Sequence, residues 1–114
     1  MVFIMTAKDD LMDNPVVLKE LMAYQKGSVV SRQLMKKEAG NVTLFAFDKN
    51  EGLSEHTAPF DALIYILDGE AEIFINKKCH KVKTGDTLIM PAHIPHALKA
   101  IEKFKMLLVM IKSE

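Results

Sequence analysis

The chain has 114 residues, 49% of them apolar, and its 15 Lys and Arg balance its 15 Asp and Glu to a formal charge of zero. That length predicts one domain, with enough apolar residues for a core. The charge balance argues against the basic footprint of a nucleic-acid binder, and no stretch reaches the length of a membrane span. Cys79 is the single cysteine, so no intrachain disulfide is expected, which fits a reducing compartment. The opening Met1–Met5 run is too short for a signal segment and lacks a basic flank. A cytoplasmic protein is the expectation.

Residues 1–28 read as an N-terminal extension that packs on the rest of the chain or on a partner copy. Asn14-Pro15 has the form of a helix cap and first helical residue, which predicts a short helix over Pro15–Ala23. From Val29 the signal is β, and residues 29–114 read as one barrel. Strands are expected over Val29–Lys36 and Val42–Asp48. Ala62–Leu67 is continuously apolar, which predicts burial on both faces, and Asp68-Gly69 signals a tight turn. Ala71, Ile73 and Ile75 alternate with Glu70 and Glu72 as a half-buried strand. Strands over Cys79–Lys83, Thr87–Met90, His96–Glu102 and Phe104–Ile111 complete the series. Short strands with turns at near-regular spacing predict an all-β antiparallel sandwich or barrel.

In the last strand Phe104, Met106, Leu108 and Met110 fall on one face, and Leu107, Val109 and Ile111 on the other. A single barrel buries one face only. The second face needs a cover, for which the N-terminal segment and a second copy of the protein are the candidates; a homodimer with this region in the interface is the hypothesis.

Two segments carry the candidate chemistry. One runs from Gly52 through His56 to Gly69, the other from Gly85 through Pro91 and His93 to His96. Each leaves a glycine turn and brings a histidine to a strand rim. At these segments the chain resembles the cupin superfamily, over roughly Gly52 to Ala100. Gly52, His56 and Gly69 match its first motif; Gly85, Pro91 and His96 match its second. The first motif's second histidine falls on Ala58 and its glutamate on Ala62. In the second motif His93 stands at a glycine position and Ala100 at an asparagine position. The wording Glu55-His56-Thr57-Ala58-Pro59 also resembles small single-domain cupins with similarly reduced motifs.

The resemblance implies an all-β, cupin-like double-stranded β-helix, a jelly-roll barrel, with the family's usual metal ligands carried over only at His56 and His96. A stable zinc or iron site takes at least three protein ligands. His93 has two readings: a solvent-facing loop residue, or a third ligand. With it, His56, His93 and His96 form the candidate metal set for a divalent ion (Zn, Fe, Ni or Mn). Asp61 reads as a loop hydrogen-bonding residue, Glu55 as exposed and His80 as packed in its strand. Met35, Met90, Met106 and Met110 read as flexible core filler, with an adaptable lining for a small ligand as the lesser reading. Three functions remain open: a binding module for a small molecule, a metal-dependent enzyme of dioxygenase, isomerase or decarboxylase type, and a non-catalytic dimerising barrel.

Overall fold

Alternating apolar residues and closely spaced turns direct most of this chain into antiparallel strands. The computed structural model describes residues 2–6 and 11–113. Its strands are β1 (Val2–Thr6), β2 (Val29–Lys37), β3 (Gly40–Phe47), β4 (Gly52–His56), β5 (Phe60–Ile75), β6 (Lys78–Lys83), β7 (Thr87–Met90) and β8 (His96–Lys112). The pairing order is β1-β2-β3-β8-β5-β6, with β4 on β8 and β7 on β5. Among the described residues no helix is long and apolar enough to cross a membrane.

The two long strands each serve two sheets. The first half of β5 pairs with β7 and with the second half of β8, which continues to β3, β2 and β1. The second half of β5 pairs with β6 and with the first half of β8, which continues to β4. These are the two sheets of a jelly-roll barrel.

Asp68-Gly69 therefore lies inside β5 rather than in a turn, and the two strands expected over residues 96–111 are one. The register of β5 on β8 slips between Ile66 and Asp68 and again between Gly69 and Ala71. Gly69 has φ +85° there, as bulge glycines do. The slip changes parity: Ala62, Ile64 and Ile66 point inward before it, Ala71 and Ile73 after it. The continuous apolar run Ala62–Leu67 is thus buried on one face only, with Leu63 and Tyr65 exposed outside. The interior centres on Phe47 and Phe104, which are paired across β3 and β8 with rings stacked 4.4 Å apart.

The expected helix over Pro15–Ala23 contracts to a 3₁₀ turn at Leu18–Glu20. Asn14 uses its amide on the Met12 carbonyl, and Val17 at the N-cap offers no side-chain acceptor. β-branched Val16 and Val17 also disfavour helix entry. Leu18, Leu21, Met22 and Tyr24 pack on the outer face of the barrel over Val30, Leu44 and Ala46. The Tyr24 hydroxyl donates to Asp68 at 2.6 Å, and Lys103 and Lys105 lie over its ring. Burial, then the Asp68 carboxylate, push the Tyr24 phenol upward.

That cover stops short of the rest of the face. Met35, Val42, Val109, Leu63 and Ile89 are successive cross-strand partners over β2, β3, β8, β5 and β7. They form one outward apolar row, with Met35 57% and Ile89 58% exposed.

Candidate functional site

Local register places the two motif histidines. Leu53 pairs with Leu98 and His56 with His96, so three steps along β4 oppose two along β8. The extra residue turns His56 to the side that Leu53 faces, and both line one cavity. On β8, His96 shares its face with Leu98 and Ala100, and that face is the interior. His96 is 7% exposed, whereas His56 lies at the open mouth. The two imidazoles meet edge to face with centroids 4.2 Å apart.

Backbone carbonyls fix which nitrogen carries the proton. His56 Nδ1 lies 2.7 Å from the Ser54 oxygen, and His96 Nδ1 lies 3.2 Å from the Ile94 oxygen. A carbonyl only accepts, so each Nδ1 donates and each neutral ring keeps its lone pair on Nε2. Burial holds the His96 imidazole below the ordinary histidine range; the Ile94 hydrogen bond opposes this, and the neighbouring His56 adds to it.

Below the pair is a cavity of about 50 Å³. Ala58, Phe60, Ala62, Met90, Leu98 and Met110 line it, with Leu53, Met106 and Leu108. Every lining side chain except the two imidazoles is apolar. Ala58 and Ala62, the positions without donor atoms in the first motif, both face this space. Ala62 pairs with Met90 on one side and Met110 on the other. Met90 and Met110 thus flank the residue at the glutamate position.

His93 is not brought to the pair. It is exposed, does not line the cavity, and has φ +66°. Its N–H donates to the Ala58 carbonyl at 2.8 Å. It fills the backbone role of the glycine that the second motif has there, and Pro91 and Pro95 leave its side chain outside. Asp61 accepts from the Ala92 N–H at 2.9 Å and so fixes the same loop. Glu55 pairs with Lys77 at the surface, and half-buried His80 sits beside buried Val82. Cys79 is exposed, and its thiol, pushed up by desolvation and then Glu72, is no activated nucleophile.

Among the described residues no three of His, Cys, Asp and Glu come together to hold a metal ion. The set His56, His93 and His96 is therefore not assembled. Two imidazoles with alanines at the other ligand positions do not fit a three- or four-donor divalent site. Phe60 and the bulge that turns His56 inward went unread in the sequence. The only signal for the bulge was the odd spacing from Leu53 to His56.

The cupin domain family matches residues 43–112. A conserved protein of unknown function from Streptococcus pyogenes is 35% identical, with TM-score 0.88 over 96% of each chain. A cupin 2 conserved barrel domain protein from Leptotrichia buccalis is 43% identical with TM-score 0.81, over 83% of this chain but 46% of its own. A cupin superfamily protein from Desulfitobacterium hafniense is 31% identical with TM-score 0.84, over 89% of this chain and 93% of its own. No curated protein matches the sequence.

Proposed function

The chain belongs to the cupin domain family, and on that premise we propose that its barrel is a binding module for a small ligand seated at His56 and His96. One observation carries this reading: two imidazoles converge over a cavity that is otherwise apolar. With Nδ1 committed to carbonyls, the pair offers two electron pairs and no proton. The fitting ligand presents an N–H or O–H group to the histidines and a short apolar group to Ala58 and Ala62. About 50 Å³ admits only a few heavy atoms past the rings.

A fragment set of short alcohols, amines and amides is the test, read by thermal shift, because a ligand specific for the folded state raises stability. Stabilisation that disappears in His96→Ala supports the reading; no stabilisation by any fragment ends it. Binding is also expected to fall with acid. A folded-state pKa below the ordinary value keeps His96 neutral, and stability is full above pH about 6.5, the unfolded value. Below it the unfolded chain takes the proton first, so stability declines as pH falls toward the folded-state value and then levels off. Urea midpoints between pH 8 and 4 check this; a midpoint that rises as pH falls through 6.5 contradicts it.

A second copy of the chain is the occupant we assign to the outer apolar row. Charge pattern supports it. Beside the row, Lys37, Gly40, Ile111 and Asp61 are also successive partners, with a cation at one end and a carboxylate at the other. A two-fold axis along β8 lays the row on itself reversed and sets Lys37 of one copy near Asp61 of the other. The zero formal charge adds no long-range repulsion. The expected result is a dimer mass by sedimentation at micromolar concentration, and a folded monomer for Leu63→Lys. A monomeric parent protein overturns the assignment.

A further inference from the structure

The lining of the cavity holds more donor atoms than its two histidines. Thioether sulfur is a weak ligand for hard divalent ions but a good one for Cu(I). Met90, Met106 and Met110 all line the cavity that His56 and His96 close. Two of them are placed by register, not only by burial. Ala62 has Met90 as its partner on β7 and Met110 as its partner on β8. Where the family's first motif has a carboxylate, this chain has a methyl group between two thioethers.

Tautomer and polarity point the same way. Both Nδ1 atoms are tied to carbonyls, the outer contact that orients metal-bound histidines and leaves Nε2 as the ligand. All four donors are uncharged, so an ion carrying one positive charge leaves less uncompensated charge in an apolar cavity than an ion carrying two. Methionine has three rotatable bonds, which lets its thioether adjust direction within a packed lining.

We propose that His56, His96, Met90 and Met110 form a site for Cu(I), in which two imidazole nitrogens and two thioether sulfurs replace the harder donor set that the chain lacks. The inference rests on the binding-module reading for its site alone, the cavity under His56 and His96; the Nε2 electron pairs that would accept an N–H or O–H there are the ones that would bind Cu(I). No redox step belongs to it; the ion is bound and released as Cu(I).

The test titrates the full chain with Cu(I) under anaerobic conditions against bicinchoninate, whose copper complex is coloured. The expected result is withdrawal of one Cu(I) per chain, with displaced methionine methyl resonances in the carbon–proton spectrum. Met90→Leu/Met110→Leu nearly conserves volume, and its melt checks the fold. This double variant is expected to lose the competition. Met35→Leu, on the outer row, is expected to retain it. Equal copper binding by the double variant overturns the proposal, as does Zn(II) binding that is tighter than Cu(I) binding. Failure to bind Cu(I) also overturns it. If short alcohols or amides then still stabilise the protein through His96, the binding-module reading stands alone; if neither binds, both readings fall.

Discussion

Gly69→Ala is expected to remove about 3 kcal/mol or more of stability, a large share of what a domain of this size has. Two separate effects add. Gly69 has φ +85°, a region that costs a residue with a Cβ about 1–2 kcal/mol. A Cβ there would also run into the Lys103 carbonyl oxygen and lie 2.8 Å from the Phe104 Cα. Both obstacles are backbone of β8, the strand that Gly69 pairs with, so neither can swing aside. Gly85 separates the two effects: its φ is +92°, but nothing lies within 4 Å of an added Cβ. Gly85→Ala is therefore expected to show the conformational cost alone. Urea midpoints of the two variants are the measurement. Equal losses would mean that β5 and β8 are not in contact at the bulge.

Ala58→His/Ala62→Glu is expected to change the protein from one that keeps no divalent ion through purification to one that keeps close to one per chain. Both positions face the cavity under His56 and His96, so the substitutions add an imidazole and a carboxylate to the existing pair. Three or four such donors suit zinc, iron or manganese. The carboxylate at position 62 would be almost wholly buried, since Ala62 is 3% exposed. Without an ion it is destabilising; with one it is satisfied. Elemental analysis of untagged protein reads the metal, and a chelator should lower the melting temperature of the variant but not of the parent. A folded variant free of metal would show that the four positions do not converge.

Much of this architecture was legible before any coordinates. Turn residues fell close to the ends of β2, β3, β6 and β7, because glycine and proline restrict the backbone through local sterics. Period two sorted the end of β8 into its two faces, and the structure makes the one with Phe104, Met106 and Leu108 the inward one. Three features were not legible, and each depends on contacts far along the chain. Asp68-Gly69 has turn chemistry, but its bulge exists because β8 passes beside it. Pro15–Ala23 has a cap-like start, but Leu18, Leu21 and Met22 are drawn onto Val30 and Leu44. Leu63 and Tyr65 look like core and are not, because no described segment lies over them. Within the site, the convergence of His56 and His96 was expected. The flanking of Ala62 by Met90 and Met110 was not, since it needs the registers of β7 and β8 on β5 together. His93 stayed ambiguous because prolines on either side suspend strand parity.

The strand that joins β3, β4 and β5 is the eighth in chain order. A ribosome delivers it after every partner it unites. Until residues 96–112 emerge, the inward faces of Phe47, Ile64 and Ile73 have no lid, and the earlier strands wait with open edges. Pairings this far apart in sequence form slowly, so open edges and uncovered apolar faces favour misassembly until β8 joins them.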